Sequence, residues 1–178
     1  MTHSIRVAKA EDYPATVLIE AAADALLVDL FDARHWPGPS TAEERAAAPG
    51  FVLIAEDQQI PTPVGFVHVL EIAGHAHLEQ LSVLPSHSRR GLGRLLVDAA
   101  LDEASRRGYA LITLRTYADV PWNAPFYRTC GFVPSEPDSD FLRSLVGVEE
   151  ALGLTQYGPR LQMAAALPRW RDSAPSRQ

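Results

Sequence analysis

The sequence predicts an α/β protein built on a mixed sheet, and three observations carry that reading. Two apolar, strand-like runs, residues 64–72 and 76–83, are separated only by Ala73-Gly74-His75, a connection short enough for an antiparallel hairpin. Residues 91–107 then repeat their apolar positions at helical spacing. ALITLRTY (110–117), a run of β-branched and apolar residues, follows at once. A strand, a helix and a strand within about 40 residues have the spacing of a βαβ crossover, so strands 76–83 and 110–117 are expected to be parallel neighbours.

The remaining elements follow in order. Residues 4–8 (SIRVA) alternate as a short strand. After Ala10-Glu11-Asp12 an Ala/Leu-rich stretch reads as helix to about Leu30, with Pro14 near its first turn, where proline is tolerated. Trp36-Pro37-Gly38-Pro39-Ser40 is a loop. Ser40 or Thr41, followed by Glu43 and Glu44, marks the cap of a second helix ending near Pro49-Gly50. Residues 51–56 form an apolar strand and 58–63 a turn. On the 91–107 helix, Leu92, Leu95, Leu96, Ala99, Ala100 and Ala104 form the apolar face, and Gly108 stops it. A short helix over 124–129 ends at Gly131; 141–152 reads as another helix and 160–167 as a last strand. These elements form one domain over 1–168, and the polar, Pro/Ser-containing tail 169–178 is expected to fray.

Composition narrows the function classes. A chain of 178 residues with 47% apolar and 21% charged residues has the balance of an ordinary globular domain with a real core. Cys130 is the single cysteine, so no disulfide framework exists, and a reducing cytoplasm is expected. Sixteen Lys+Arg against 22 Asp+Glu give a net charge of −6, which argues against a nucleic-acid-coating role. Apolar runs fall well short of about 18 residues and MTHSIRVAKAEDY has no apolar core, so neither a membrane span nor a secretory signal is expected.

The segment richest in chemistry is Val83-Leu84-Pro85-Ser86-His87-Ser88-Arg89-Arg90-Gly91-Leu92-Gly93-Arg94. A strand ends, a turn follows, and two glycines open a long helix. Glycine there costs up to about 1 kcal/mol in helix propensity, and what it offers is close approach of a ligand to the backbone. Helix N-termini present unpaired N–H groups and a partial positive charge suited to phosphate. Arg89, Arg90 and Arg94 add cationic donors. The plain alternative is a tight strand-to-helix turn with solvated arginines. A Walker loop is excluded because no Gly-Lys-Ser/Thr occurs, and a dinucleotide fingerprint would want glycine where Leu96 stands.

Ser88-Arg89-Arg90-Gly91-Leu92-Gly93 resembles the Gln/Arg-x-x-Gly-x-Gly/Ala signature of the GNAT superfamily of N-acetyltransferases, with Ser88 in place of the long donor. Asn123-Ala124-Pro125-Phe126-Tyr127-Arg128-Thr129-Cys130-Gly131-Phe132, about 30 residues downstream, resembles that superfamily's Asn…Ala…Tyr…Gly-Phe segment. The likeness spans residues 4–167 by element order and is strong over 76–133. It implies a central mixed, mostly antiparallel sheet of about seven strands with helices on both faces, in which the parallel strands 76–83 and 110–117 splay apart. It implies acetyl-CoA as co-substrate and no metal. Its diphosphate would meet Ser88, Arg89, Arg90, Gly91, Leu92, Gly93 and Arg94, with Ser88 able to cap the helix instead. Its pantetheine arm would pair with the backbone at Leu81, Ser82 and Val83 and touch Asn123, Phe126 and Tyr127.

The resemblance also implies roles in the chemistry. Tyr127 matches the superfamily tyrosine that protonates the leaving thiolate; a tyrosine stays protonated at neutral pH and can donate. The structural alternative is a ring packing the short helix against the core. In His75-Ala76-His77-Leu78-Glu79-Gln80-Leu81, alternation puts His75, His77, Glu79 and Leu81 on one strand face. Glu79 and His77, nine and eleven residues before Ser88, stand where superfamily members carry a catalytic Glu or His. Glu79 is the favoured base, direct or through water, with His77 as helper or substitute. The alternatives are an ammonium anchor for Glu79 and a sheet-edge histidine for His77. His-x-His-x-Glu also has a metal-site spacing, though the implied reaction needs no metal. Asp24, Asp29, Asp32, His35 and Trp36 lie where the superfamily shapes its acceptor pocket. The expected partner is an amine of a small molecule or peptide, with a homodimer left open. A non-catalytic acyl-CoA-binding module on the same fold is the rival function, and transfer of another acyl group a third reading.

Overall fold

The computed structural model describes residues 3–57 and 61–168. Its strands are β1 (His3–Val7), β2 (Gly50–Asp57), β3 (Thr62–Ile72), β4 (His75–Val83), β5 (Leu111–Tyr117), β6 (Val133–Ser135) and β7 (Arg160–Ala166). Its helices are α1 (Tyr13–Phe31), α2 (Ala42–Ala47), α3 (Leu92–Arg106), α4 (Ala124–Thr129) and α5 (Asp140–Ala151). The strands form one sheet in the order β1-β2-β3-β4-β5-β7-β6. All pairs are antiparallel except β4 and β5, the expected parallel neighbours. The turn expected over 58–63 lies in part, and the tail 169–178 wholly, outside the described residues.

Local chemistry accounts for most boundaries. Thr41 and Glu44 exchange the two hydrogen bonds of a capping box at the start of α2, Glu44 N–H to Thr41 Oγ1 at 3.1 Å and Thr41 N–H to Glu44 Oε2 at 2.9 Å. Ser139 caps α5 through Leu142 N–H. The edge strand β6 is absent from the sequence reading. It is only three residues long with a proline at its centre, so no alternation could reveal it.

The sheet separates two apolar layers. One, beneath α3, contains Leu53, Val67, Val69, Leu78, Leu92, Leu96, Val97, Ala100, Ile112, Leu114 and Met163. The other, beneath α1, is smaller: Ile19, Val52, Ile54 and Phe66. The α3 stripe differs from expectation at one position. Leu95 is 47% exposed while Val97 is fully buried. The seam therefore follows the i, i+4 row from Leu92 through Leu96 and Ala100 to Ala104, widened on the Val97 side. The α1 side also buries charge. Arg45 from α2 pairs with Glu20 of α1, donates to Thr16 Oγ1 at 2.7 Å and lies over the Phe66 ring at 4.7 Å. That contact ties α1, α2 and the sheet together.

Candidate active site

The site begins where β4 stops behaving as a regular strand. His68 pairs with Gln80 but Val69 pairs with Leu78, so Glu79 is the extra residue of a bulge. A bulge bends its strand and raises its twist. Pairing between β4 and β5 ends at Leu78–Leu114, immediately before it. Beyond that point the two strands diverge, and the β5-facing edge of residues 79–83 has no strand partner. The bulge also overturns the expectation that His75, His77, Glu79 and Leu81 share a face. Leu81 and Val83 pack into the α3-side layer, and Ser82 is buried on the other side opposite Phe66, its Oγ accepting from Gln80 Nε2 at 3.0 Å.

After Val83 the chain turns through Pro85–His87 and reaches α3 by an unusual path. Arg89 has φ +60° and Gly91 φ +82°. A non-glycine in the left-handed region is uncommon, and successive turns of this kind make concave nests of N–H groups. Gly91 is the N-cap of α3, and its carbonyl takes the N–H of Leu95 at 3.0 Å. The amides of Leu92, Gly93 and Arg94 stand at the open helix end, where no intrahelical partner exists. Ser88 does not cap this helix: its hydroxyl turns back to the Leu84 carbonyl at 3.4 Å. Arg94 turns its side chain away from the nest. Its side chain is committed to Asp98 at 3.0 Å and to the Thr129 carbonyl at 2.8 Å, linking α3 to the end of α4. Arg89 and Arg90 are exposed beside the nest.

The helix α4 presents the second motif to the same region. Asn123, its N-cap, accepts from Thr116 Oγ1 at 2.6 Å, fixing α4 to the diverging end of β5. Phe126 lies against Gly93, where an added Cβ would meet the ring at 3.5 Å. Tyr127 is buried between Phe126 and Phe132, with ring centroids 5.2 and 5.7 Å away. Burial pushes its hydroxyl well above the ordinary tyrosine range, so it remains protonated.

Glu79 and His77 have unlike environments. The Glu79 side chain is 45% exposed. Crowding by protein and repulsion from Glu149 raise its pKa, partly opposed by Arg160 and Arg45. His77 is buried, edge-on to Phe141, with Nδ1 2.8 Å from Thr113 Oγ1. The Thr113 hydroxyl also lies 3.5 Å from the Ala76 carbonyl, and His77 Nε2 stands 3.8 Å from Glu79 Oε2. Desolvation, with Arg115 next, pushes His77 down to about 4. A histidine poised near its ordinary value is therefore not what the fold provides: His77 is neutral at pH 7 and a weak base. Nor do His75, His77 and Glu79 form a three-ligand cluster. Among the described residues no group of three or more His, Cys, Asp or Glu side chains could hold a metal.

To Asp24, His35 and Trp36, named from the sequence, the structure adds side chains that sequence reasoning missed. Burial pushes Glu20, on the α1 face near Glu79, up to about 7 against the pull of Arg45. Phe31, Trp36, Tyr117 and Tyr157 pack ring to ring at the end of β5. Tyr157 OH donates to the His35 carbonyl at 3.0 Å and Trp36 Nε1 to Asp24 at 3.1 Å, so the α1–α2 loop is latched over that end. Arg115 and Arg160 both pair with Glu149 of α5. A charge in the otherwise apolar ALITLRTY was the available signal for Arg115; Glu149 and Arg160 carried none.

An open mixed sheet whose one parallel pair diverges beside a glycine-opened helix end is the architecture that the sequence resemblance implies. The acetyltransferase (GNAT) family pattern matches residues 8–132, and the chain belongs to that family. Solved structures agree on the fold. The ribosomal-protein-S18-alanine N-acetyltransferase of Escherichia coli superposes with a TM-score of 0.67 at 20% identity, over 97% of this chain and 99% of the other. The PaiA N-acetyltransferase of Thermoplasma acidophilum, solved with coenzyme A, gives 0.66 at 17% identity over 93% and 99%. A nourseothricin acetyltransferase gives 0.61 at 19% over 94% and 100%. No helix of the described residues is long and apolar enough to cross a membrane.

Proposed function

We propose that the protein transfers the acetyl group of acetyl-CoA to a primary amine of a small molecule or peptide, with both substrates bound together. The observation that carries this reading is the continuity of the nest at 89–94 with the unpaired edge of β4 from Glu79 to Val83. The residues present fit the co-substrate. Open amides of Leu92, Gly93 and Arg94, with Arg89 and Arg90 beside them, suit a diphosphate. Gly91 keeps side-chain bulk out of the nest, and Ser88 lies at its entrance. The free edge at Leu81, Ser82 and Val83 offers main-chain hydrogen bonds to the amide-bearing pantetheine arm, and Asn123 and Phe126 flank it. Bound acetyl-CoA supplies an acetyl group already activated as a thioester.

The chain's own residues then divide the proton work. Glu79 takes a proton from the acceptor ammonium, directly or through water, because a carboxylate with a raised pKa is better matched to that task than an ordinary one. His77, uncharged and 3.8 Å from Glu79, is the helper beside this carboxylate and leaves the proton transfer to it. Tyr127, kept protonated by burial, donates to the departing sulfur. Calorimetric titration with coenzyme A, followed by thiol release from acetyl-CoA across a panel of primary amines, tests the reading. Expected are binding and turnover, with Glu79→Gln and Tyr127→Phe each lowering kcat by about 10²–10⁴ while coenzyme A binding persists. Binding with no turnover on any amine would favour a non-catalytic acyl-CoA-binding module, and absence of binding overturns both.

A further inference from the structure

A cavity of about 310 Å³ opens beneath α5, lined among others by Arg115, Ser135, Glu136, Val146, Arg160 and Gln162. Arg115 follows Leu114, the last β5 residue paired to β4, and lies two positions from Thr113, which holds His77. The cavity therefore reaches β5 one residue past its last pair with β4, on the strand face that carries Thr113, and its other walls come from β6, β7 and α5. Its polar lining is fixed in place. Gln162 is 3% exposed, and its Nε2 is fixed by Ser135 Oγ at 3.1 Å and the Glu136 carbonyl at 3.0 Å. Its Oε1 is buried with no hydrogen-bond partner. The Nε atoms of Arg115 and Arg160 are likewise buried and unpartnered. Buried polar groups in native proteins nearly always find partners, so three such atoms around one cavity point to a ligand that supplies them. The donors give its character. Arg115 and Arg160, 9% and 13% exposed at the side chain, share the carboxylate of Glu149, and each keeps a buried Nε–H without an acceptor. Such donors favour a ligand that brings acceptor oxygens, and a carboxylate does so while matching the guanidinium charge.

We propose that this cavity binds a carboxylate carried by the acceptor itself, making the preferred substrate an amino acid or short peptide with a free acid rather than a simple alkylamine. Arg115 and Arg160 donate to the carboxylate, and Gln162 Oε1 accepts from an N–H or O–H beside it. The assignment rests on the acetyl-transfer reading and sharpens its substrate class. Matched pairs test it: lysine with cadaverine, 6-aminohexanoate with pentylamine, and alanylglycine with its C-terminal amide. In at least one pair the carboxylate form should exceed its partner by about tenfold in kcat/KM, chiefly through KM, a ratio typical of one charged hydrogen bond. Arg115→Lys and Arg160→Lys should bring that ratio toward one, with circular dichroism confirming the fold. A wild-type enzyme that acetylates the carboxylate-free amines at least as well in every pair overturns the proposal, as does a preference unchanged in both variants. Stimulation of alkylamine acetylation by added glutarate would make the cavity an effector site and also overturn it. Failure to acetylate any amine is the distinct result that sinks the transfer reading and this assignment with it.

Discussion

Acidification should expose the buried state of His77. Its pKa falls from 6.5 to about 4 on folding, and its side chain is only 3% exposed, so solvent screening removes little. The folded protein binds fewer protons here than the unfolded chain, so the stability present above pH 6.5 is lost as pH falls toward 4. The difference of about 2.5 pK units, at 1.36 kcal/mol each, amounts to roughly 3 kcal/mol over the full window. About 2 kcal/mol of it falls between pH 7 and pH 5. Glu20, raised to about 7, titrates in the opposite sense and would mask the effect in wild type alone. The comparison with His77→Gln, which retains an amide donor for Thr113, cancels it. Urea unfolding of both proteins at pH 7 and pH 5 should show wild type losing about 2 kcal/mol more than the variant. Parallel losses would refute the claim that His77 is held neutral beside Glu79.

Other outcomes follow from the same geometry. The proposed base role of Glu79 requires it ionised, and its pKa is raised, so kcat/KM should rise with pH through a pKa above the ordinary carboxylate value of 4.5; Glu149→Gln removes a repelling charge and should shift that limb to lower pH in a pH–rate profile. Leu96→Ala should cost about 2–5 kcal/mol in urea unfolding, whereas Leu95→Ala should cost under about 1 kcal/mol, reversing any order drawn from their equal place on a helical wheel. Gly91→Ala forces a side chain to φ +82° and should cost about 1–2 kcal/mol, with weaker coenzyme A binding by calorimetry. Arg94→Met should leave coenzyme A affinity nearer to wild type than Arg89→Met does, because the Arg94 side chain is held by Asp98 and Thr129.

The strands, the crossover helix and the two glycine-bearing motifs were legible because each is a local signal. Apolar residues alternate or recur at helical spacing, a Thr–Glu pair three apart caps a helix, and glycines mark where the backbone turns into a helix. So the chain order alone determined the mixed sheet, its one parallel pair and the position of the helix-opening nest. Only the tertiary structure decided how the strand facing that nest presents its side chains. A single extra residue at Glu79 breaks the alternation, sends Leu81 into the α3-side layer and starts the divergence from β5. It likewise decided protonation: the same histidine that would titrate near neutrality in water is held uncharged by burial. Glu149, Arg115 and Arg160 come from three separate elements and meet only because α5 folds back across β5 and β7. Charge pairing acts through space, over a few ångströms, and leaves no period along the chain from which it can be read.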